Sequence, residues 1–547
     1  MKIKPNLTLL FLLFATTVCA QQNSDIYKNY RQKWLETAEK NKPVLTKTTV
    51  SPQSIITVKE DAKAFQNLTV DERKDIAGIY STPLDSYRNG VIVDFGTHIT
   101  GHVSFALKSL NKTPDAPLRL KFTFGETLAE VTRPIDPYTG TLSRAWFQDE
   151  TVTVSVISET TRIPRRVSFR YAKIEVVGAP NYKFAFDKLY CEATTSAATH
   201  VPPLADSSSD IIRRIDSVGL RTLSECMQTV YEDGPKRDRR LWIGDLYLEA
   251  LANSCSFRQN NLTKRCLYLL AGVAAENGVL NGTMFEQPYP HAQKNQFLLD
   301  YSYLYNVALL DYLKNTNDTA TAKDLWPVAR RQARIILPYI KKDNLIDFDR
   351  ANREWWIFID WKQELDKEIS ITGLVLFALE KTYELAVMTG NENDVEYIPS
   401  LIDRMRRAAH KAYYDKKTRL FVNPRTGQRS YMSQVWATLG KIASAREAVK
   451  ALTTIKNTPD AVTTGTPYAY HYYIQALIDN DLNKTAKEEL QTFWGDMINK
   501  GADTFWEAYD RNNDFISPYK CHLINSYCHA WSCTPVYFIR TYPEIFQ

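Results

Sequence analysis

The sequence predicts a multidomain β + α protein, in which an antiparallel β-sandwich precedes a larger domain built of helices. The chain has 547 residues, which is too long for one ordinary hydrophobic core. Apolar and polar residues alternate with period two from about residue 91 to residue 198. From residue 211 to the C-terminus the apolar residues follow a helical period instead, so we place the domain boundary near residue 198.

The first segment, MKIKPNLTLLFLLFATTVCA, predicts a signal peptide over residues 1–20. Lys2 and Lys4 precede a short apolar run, and small residues end the segment. The run is too short for a membrane span, and no later apolar run reaches membrane length. Val18 is a poor residue before a lipid-modified cysteine, so ordinary cleavage is favoured over lipid anchoring through Cys19. We therefore expect an exported protein, periplasmic or secreted.

Residues 21–90 are predicted to begin with a polar helix and to lead into the sandwich as an extended segment. Residues 91–198 form the predicted sandwich, because six segments there alternate apolar with polar residues between Gly, Pro, Asn or Asp. These segments are GVIVDFG, GHVSFALKSL, LRLKFTFGETL, ETVTVSVIS, RRVSFRYAKIEVVG and KFAFDKLYCEA. The connector THVPPLADSSSD follows and supplies Ser and Asp caps for the next helix.

Residues 199–547 are predicted to be helical. Segments such as NQFLLDYSYLYNVALLDYLKNT and IPSLIDRMRRAAHKAYYD are amphipathic, and short loops join them. No fixed repeat of the tetratricopeptide or ankyrin type is present, so an α/α toroid, an α-solenoid and a helix bundle all stay open. In a toroid, the active site would lie at one mouth, on loops between helices.

Composition narrows the classes of function. The net charge of +6 is spread along the chain without a basic tract, so nothing indicates a nucleic-acid partner. The seven cysteines after residue 20 match no zinc-binding spacing, and they can form free thiols or one or two disulfides. Aromatic residues make up 12% of the chain, which suits carbohydrate-stacking surfaces and large cores alike.

The stretch EDGPKRDRRLWIGD, residues 232–245, holds four acidic and four basic residues. Asp233, Asp238 and Asp245 are spaced by five and seven residues, and Pro235 prevents a helix through the stretch. Carboxylates held close together repel, so one of them keeps its proton more easily and can act as a general acid. The basic residues would hold the other acids ionised. The alternative interpretation is a network of surface ion pairs.

Three further segments contain candidate site residues. Glu507 lies in the aromatic stretch GADTFWEAYD, where a carboxylate is costly unless it is solvated or used. His529 lies in SYCHAWSCTP, where a structural hydrogen bond is the alternative role. The segment NREWWIFIDWKQ combines Trp356, Asp360 and Trp361. Aromatic platforms with a carboxylate suit the binding of sugar hydroxyls, although tryptophans also suit a core.

Taken together, these segments resemble the α-L-rhamnosidases of glycoside hydrolase family 78 over most of the chain. VDFGTHITGHVSF followed by LKFTFGETL is similar to the sandwich that precedes the family's catalytic domain. DGPKRDRRLWIGD, FIDW, TFWEAYD and CHAWSCTP are similar, in this order, to four motifs of that catalytic domain. The resemblance implies an (α/α)6 toroid, the six-hairpin glycosidase fold. It also implies an inverting exo-glycosidase that removes terminal α-L-rhamnose from a carbohydrate substrate without metal or cofactor.

The resemblance further implies roles for individual residues. Glu507 matches the general base, and Asp238 falls at the general-acid position. Asp233 and Asp245 match acids that hold sugar hydroxyls. The matches to the other substrate-binding positions are Arg237, Trp242, Trp356, Asp360, Trp361 and His529. An inverting reaction needs two carboxyl groups about 6.5–9.5 Å apart, with room for a water molecule between them.

The sequence departs from the family at one of these positions. The family more often has Glu where this chain has Asp238, which is one methylene shorter. Two alternatives therefore stay open beside the rhamnosidase. One is an α/α-toroid glycosidase for another terminal sugar, and the other is a catalytically impaired carbohydrate-binding homologue.

Overall fold

The computed structural model describes residues 25–178 and 180–547. The predicted signal peptide, with Cys19, lies outside the described residues. Within the described chain, nine strands form one sheet before residue 196, and the long helices follow from residue 210. Strands therefore give way to helices where the apolar period changes in the sequence.

The N-terminal helix α1 (Arg31–Lys40) precedes the strands but contacts the helical domain. Its Trp34 is completely buried. Arg31 donates hydrogen bonds of 3.1 Å to the carbonyl oxygens of Gly272 and Ala275. The polar helix expected near the start of the chain is thus attached to the domain that follows the sandwich.

The sheet is antiparallel throughout, as the period-two pattern predicts. Its strands are β1 (Thr46–Val50), β2 (Ser54–Glu60), β3 (Leu68–Asp75), β4 (Val91–Ser109), β5 (Leu118–Gly125), β6 (Gln148–Val154), β7 (Thr161–Arg162), β8 (Val167–Val176) and β9 (Phe184–Thr195). The strand order is β1-β9-β4-β8-β5-β6, while β2 pairs with β3 and β4, and β7 pairs with β4. A short helix, α2 (Leu128–Thr132), follows β5.

Strand β4 is longer than the sequence pattern indicated. The segments GVIVDFG and GHVSFALKSL were expected to form separate strands, but they form one strand of 19 residues. Its register against β8 shifts between Asp94 and Ile99, and Gly96 has a left-handed φ of 82° there. Because glycine adopts this conformation without strain, the strand passes through an irregularity instead of ending.

Strands of the sheet that are not hydrogen-bonded neighbours pack face to face across one core. The ring of Phe105 on β4 lies 5.1 Å from the ring of Phe122 on β5, although these strands are not hydrogen-bonded neighbours. Both rings belong to one buried apolar cluster that most of the strands share. This packing around a common core confirms the predicted β-sandwich.

Twelve helices of the described second domain form six hairpins, each with an outer and an inner helix. The outer helices are α3 (Asp210–Cys226), α5 (Asn260–Gly272), α7 (Thr319–Ala333), α10 (Tyr397–Tyr413), α12 (Ala445–Ile455) and α14 (Asn483–Asn499). The inner helices are α4 (Ile243–Cys255), α6 (Leu299–Thr316), α9 (Glu368–Thr389), α11 (Tyr431–Leu439), α13 (Pro467–Ile478) and α15 (Pro535–Thr541). The short helices α8 (Phe348–Glu354) and α16 (Pro543–Phe546) lie outside this scheme.

Most inner helices are more buried than most outer ones, although the outer helix α5 is largely buried because α1 packs against it. Fourteen of the 18 residues of α6 are buried, but only four of the 11 residues of α12. A helix that is buried nearly all round must be enclosed by others. The inner helices contact one another in the order α4–α6–α9–α11–α13, and α15 with the turn before it closes the ring on α4. The closed ring selects the toroid among the three open architectures and confirms the six-hairpin fold.

The structure shows whether the cysteines are free thiols or form disulfides. All seven cysteines in residues 25–178 and 180–547 are free thiols, which decides between the two alternatives that the sequence left open. In the same ranges, no group of three His, Cys, Asp or Glu side chains is placed to hold a metal ion. None of the described helices combines the length and the apolar composition that crossing a bilayer requires.

Candidate active site

A cavity of about 210 Å³ opens among loops of the helical ring. Its lining comes mainly from four loops, each of which leads into an inner helix: residues 227–242, 273–298, 334–367 and 500–534. We call residues 227–242 the acid loop and residues 500–534 the base loop. The sandwich adds Leu142 to the lining. The predicted position at a mouth of the toroid, on loops between helices, fits this cavity.

The structure brings nine of the ten predicted site residues to this cavity. They are Asp233, Arg237, Asp238, Trp242, Asp245, Trp356, Trp361, Glu507 and His529. Segments almost 300 positions apart in the chain therefore meet at one site. The tenth residue, Asp360, is absent from the lining.

Asp360 is occupied by hydrogen bonds to the protein itself. Its side chain accepts from the backbone N–H of Gly465 and from the hydroxyl of Thr466, both at 2.7 Å. It also accepts from the backbone N–H of Trp361 at 2.8 Å. Burial raises the pKa of Asp360 to about 6. These contacts fix the start of α13 against the segment that carries Trp361, and they leave Asp360 beside the cavity.

The acid loop is a tight turn closed by Asp233. The Asp233 carboxylate accepts the backbone N–H groups of Asp238 and Arg240 at distances between 3.1 and 3.2 Å. Gly234 is required in this turn, because a Cβ atom there would collide with the carbonyl oxygen of Arg237. Asp238 therefore lines the cavity, and Asp233 fixes the backbone of the turn that carries it.

Glu507 is fixed through both its backbone and its carboxylate. Its backbone N–H donates to the carbonyl oxygen of Ser526 at 3.0 Å, and its own carbonyl accepts from the indole N–H of Trp531 at 2.9 Å. The carboxylate accepts hydrogen bonds from the Arg237 guanidinium, the Tyr519 hydroxyl and the backbone N–H of Ser526. The side chain is only 3% exposed.

The surroundings of Glu507 favour its ionised form. Burial by itself would raise the pKa of Glu507, but the charge of Arg237, the charge of His529 and the hydrogen bond from Tyr519 outweigh it. The pKa of Glu507 therefore lies below its usual range. A carboxylate that stays ionised at the wall of a cavity can accept a proton from a water molecule.

Asp238 lies between two arginines and close to a second carboxyl group, Asp233. Besides burial, the charge of Asp238 raises the pKa of Asp233. Asp238 accepts from Arg240 at 2.8 Å and pairs with Arg237 at 3.4 Å. Burial and the adjacent charge of Asp238 raise the pKa of Asp233 to about 7. The repulsion that the sequence predicted for this stretch is thus present, and it raises the pKa of Asp233.

Asp245 and His529 face each other at the cavity, and among the described residues three of their polar atoms make no hydrogen bond. Asp245 Oδ1 and His529 Nε2 lie 3.4 Å apart, and both side chains are 3% exposed. Burial would lower the pKa of His529, but Asp245 and Glu507 raise it above its usual value. In the part of the chain that the structure describes, neither His529 ring nitrogen nor Asp245 Oδ1 has a hydrogen-bond partner. Such buried polar atoms at a cavity fit the hydroxyl groups of a bound sugar.

Aromatic rings form much of the remaining wall. The Trp242 and Trp356 rings lie 6.4 Å apart, and the Trp361 and Tyr519 rings lie 5.8 Å apart. Trp356 is the more open of these side chains, with 37% of its surface exposed. Flat apolar faces combined with a few convergent polar groups are typical of a carbohydrate site.

Several lining residues were not singled out by the sequence. They are Gln293, Gln296, Leu298, Tyr301, Phe358, Tyr519 and Trp531. Tyr519 donates a hydrogen bond to Glu507 from a segment without any motif, so only the folded base loop reveals it. Arg240 was expected to hold acids ionised, and its charge does act to lower the pKa of Asp233, although burial and Asp238 outweigh it.

Arg237 limits the separation of the two candidate catalytic carboxylates. One terminal nitrogen of its guanidinium contacts Asp238, and the other contacts Glu507. One guanidinium and two such contacts span no more than about 9 Å. This limit admits the separation of about 6.5–9.5 Å that an inverting glycosidase needs.

Comparison with protein families gives two matches that together cover most of the chain. The glycosyl hydrolase family 78 α-rhamnosidase N-terminal domain matches residues 52–193. The bacterial α-L-rhamnosidase 6 hairpin glycosidase domain matches residues 204–542. Among curated proteins, no sequence matches the chain.

Solved structures of rhamnosidases have the same fold as this chain. A rhamnosidase from Klebsiella oxytoca with rhamnose bound is 38% identical, with a TM-score of 0.89, and the match covers 94% of this chain and 99% of that one. The family 78 rhamnosidase of Bacillus sp. GL1 is 20% identical, with a TM-score of 0.69. That match covers 82% of this chain and 46% of the Bacillus chain, and it shows the fold alone.

Proposed function

This chain belongs to glycoside hydrolase family 78 and is a glycoside hydrolase, and from that premise we propose that it is an inverting exo-glycosidase for terminal α-L-rhamnosyl linkages. The observation that carries the proposal is the contact of Asp238 and Glu507 with the two terminal nitrogens of Arg237 at one cavity. This arrangement supplies two carboxyl groups at one cavity, as an inverting displacement on a sugar requires.

In the proposed reaction, Glu507 and Asp238 act in a single displacement. Glu507 takes a proton from a water molecule as the water oxygen attacks the anomeric carbon. The bond from that carbon to the leaving oxygen breaks, and Asp238 in its protonated form donates its proton to that oxygen. The products are the free alcohol and rhamnose with inverted anomeric configuration. Exchange of one proton with solvent restores both carboxyl groups.

The remaining site residues are proposed to bind the sugar. Asp245 and His529 present the unpartnered polar atoms, which can receive the hydroxyls of one ring. Asp233 lines the same cavity and is proposed to hold a further sugar hydroxyl, while its carboxylate also accepts backbone N–H groups of the acid loop. Trp242 and Trp356 supply apolar faces at the wall. Support for rhamnose as this sugar comes from the Klebsiella oxytoca relative, whose structure contains rhamnose.

Hydrolysis of 4-nitrophenyl α-L-rhamnoside tests the proposal. We expect turnover by residues 21–547, and a loss of about 10³-fold or more in kcat for Glu507→Gln, because the base acts mainly in the transition state. Rhamnose binding should persist in this variant. Glu364→Gln is the matched control, because Glu364 is exposed on the loop that carries Trp356. Proton NMR of the first product should show the β-anomer.

Two results would contradict the proposal in different ways. Turnover of another aryl glycoside, with none of the rhamnoside, would support the alternative of a toroid glycosidase for a different terminal sugar. Binding of rhamnose with no hydrolysis after long incubation would support a catalytically impaired carbohydrate-binding homologue. The shorter Asp238 is the feature that keeps this second alternative under test.

We also propose that the protein is exported. The support is the segment of residues 1–20, with its basic start, apolar run and small final residue. Expression with the native leader in a Gram-negative host should give a periplasmic or secreted protein that begins at Gln21. A protein in the cytoplasm that retains residues 1–20 would contradict export, and a lipid attached at Cys19 would contradict ordinary cleavage.

A further inference from the structure

Glu126 belongs to the sandwich, but its carboxylate reaches the loops of the helical domain. It follows the last residue of β5 directly, and its side chain is only 1% exposed. Four different side chains or backbone groups contact its two oxygens. A carboxylate this deeply buried is costly unless its partners compensate the lost hydration.

One partner belongs to the acid loop. The Nζ atom of Lys236 lies 2.9 Å from Glu126 Oε2, and the lysine side chain is only 2% exposed. Lys236 immediately precedes Arg237 and lies two residues before Asp238. The Lys236 contact therefore anchors the acid loop two residues before the proposed general acid.

The other partner belongs to the base loop. The backbone N–H of Tyr527 donates to the same oxygen, Glu126 Oε2, at 2.7 Å. The preceding residue, Ser526, exchanges backbone contacts with Glu507, because its carbonyl accepts the Glu507 N–H and its own N–H approaches the Glu507 carboxylate. One oxygen atom of the sandwich thus contacts both loops that carry the proposed catalytic carboxylates.

The sandwich holds Glu126 from the opposite side. His98 on β4 contacts Glu126 Oε1 at 3.1 Å, and the hydroxyl of Ser168 on β8 lies 3.4 Å from the same oxygen. Burial would raise the pKa of Glu126, but the charges of Lys236 and His98 lower it to about 2, so the group stays ionised. The carboxylate is therefore a fixed point of the sheet.

We infer that Glu126 is a positioning residue that holds the acid loop and the base loop at the separation which catalysis needs. This inference rests on the proposed roles of Asp238 and Glu507. Arg237 joins the two carboxylates inside the cavity, and Glu126 joins their loops from outside it. The role gives the sandwich a part in the reaction without any contact to the sugar.

Glu130 provides a matched control within the same cluster. It also contacts Lys236 Nζ, and its side chain is 2% exposed. Its remaining hydrogen bonds go to the backbone N–H groups of Glu126 and Thr127, in the capping box of α2. No hydrogen bond joins Glu130 to the base loop in the described residues. Glu130→Gln therefore disturbs the buried lysine while it leaves the contact between the two loops intact.

The experiment compares Glu126→Gln with Glu130→Gln and the unmodified protein on the aryl rhamnoside. We expect Glu126→Gln to lower kcat by about 10²-fold with KM changed less than about threefold, because small misplacement of reacting groups costs this much. Glu130→Gln should lower kcat by less than about threefold. Thermal unfolding of each variant shows how much stability each substitution removes. Glu126→Asp, which keeps the charge but shortens the reach, should lie between Glu126→Gln and the unmodified protein.

Hydrogen exchange tests the same inference without activity. The backbone amides of Glu507 and Tyr527 should exchange faster in Glu126→Gln than in Glu130→Gln. Should Glu126→Gln fail to fold, Glu126→Asp carries both measurements. Equal losses of kcat in the two Gln variants, or a change confined to KM, would overturn the inference. Absence of turnover in the unmodified protein would contradict the proposed function alone, and the exchange comparison would still decide the positioning role.

Discussion

Arg237 is the residue on which the two proposed catalytic carboxylates converge. It is completely enclosed, donates through Nε to the carbonyl oxygen of Ile524 at 2.8 Å, and contacts Glu507 and Asp238 through its terminal nitrogens. A planar guanidinium fixes directions as well as charge, which a lysine ammonium does not. Its charge also contributes to the low pKa of Glu507.

The first prediction concerns Asp238 as the general acid. Asp238→Asn should lower kcat/KM by about 10²-fold or more on rhamnosides with poor leaving groups, and much less on those with good leaving groups. The reason is that a good leaving group departs without being protonated. Rates over a series of substituted phenyl rhamnosides measure this, with Asp187→Asn on the exposed side of β9 as the control. Equal losses on every leaving group would remove Asp238 from the role.

The second prediction concerns the hydroxyl of Tyr519, which helps to keep Glu507 ionised. Glu507 must be ionised to act as base, so activity should fall as the pH falls through the pKa of Glu507. Tyr519→Phe removes a hydrogen bond that lowers this pKa, so the acidic limb of kcat/KM should move to higher pH. Tyr509→Phe, which loses a hydrogen bond to Asp496 outside the cavity, should leave the limb in place. An unchanged limb in Tyr519→Phe would contradict the prediction.

At the scale of elements, the site depends on loops that lead into inner helices. Outer helices such as α12 could be recognised by their apolar period, because one face of each is exposed. Inner helices such as α6 are buried nearly all round, so their length and apolar content identify them instead. The loops were readable only where their sequences resemble family motifs, as in DGPKRDRRLWIGD. Tyr519 and Gln293 lie outside these motifs, and only the folded loops bring them to Glu507 and Arg240.

For the strands too, the sequence pattern predicts part of the structure and the folded sheet alone shows the rest. Alternation predicted where β-structure lies, but it did not show that β4 continues through the irregularity near Gly96. Glycine occurs both in irregularities within a strand and in turns between strands, so the sequence alone does not tell the two apart. The extended segment before residue 91 supplies β1, β2 and β3. Strand β3 pairs with its neighbour β2, whereas β1 pairs with β9, far along the chain.

The third prediction belongs to the element that Asp360 stabilises. Asp360→Asn keeps one acceptor oxygen but turns an N–H₂ group toward Gly465 or Thr466, so a buried donor loses its partner. We expect the free energy of unfolding to fall by about 1–3 kcal/mol. Urea unfolding measures this, with the exposed Asp343→Asn as the control. Unchanged stability together with a raised KM would instead support the predicted contact of Asp360 with substrate.

At the scale of the whole molecule, the sandwich and the toroid together enclose the acid loop. Arg166 of the sandwich pairs with Glu232 at 2.6 Å, and Arg239 donates to the carbonyl oxygen of Arg166 at 2.6 Å. Together with the pairing of Lys236 and Glu126, these contacts hold the acid loop from outside the ring. The sandwich therefore supports the site although it adds only Leu142 to the cavity wall.

The fourth prediction concerns the stability of the folded molecule against pH. The pKa of Asp233 is raised to about 7 in the folded state, while an unfolded Asp titrates near pH ~4. Between these values the folded state binds the proton and the unfolded state does not, so this group's contribution to stability falls as the pH rises. Asp233→Asn removes that loss. The unfolding temperature of Asp233→Asn minus that of the unmodified protein should therefore be larger at pH 8 than at pH 5.

Ionisable groups far from Asp233 contribute equally to both proteins and cancel in that comparison. The Asp233→Asn substitution alters the hydrogen bonds to Asp238 and Arg240 at both pH values, so only the difference between the two conditions reports the ionisation. A difference in unfolding temperature that does not change between pH 5 and pH 8 would contradict the raised pKa.

The sequence by itself determined the order of the two domains, the six-hairpin family and nine residues of the cavity. It could do so because period-two and helical patterns are local, and because the motifs carry the reacting groups in fixed local order. The tertiary structure alone decided that the toroid closes, that Asp360 lies beside the cavity, that Tyr519 contacts Glu507, and that Glu126 reaches two distant loops. These properties depend on contacts between residues far apart in the chain, such as the 401 positions from Glu126 to Tyr527. No local pattern records which buried charge will meet which backbone group once the chain has folded.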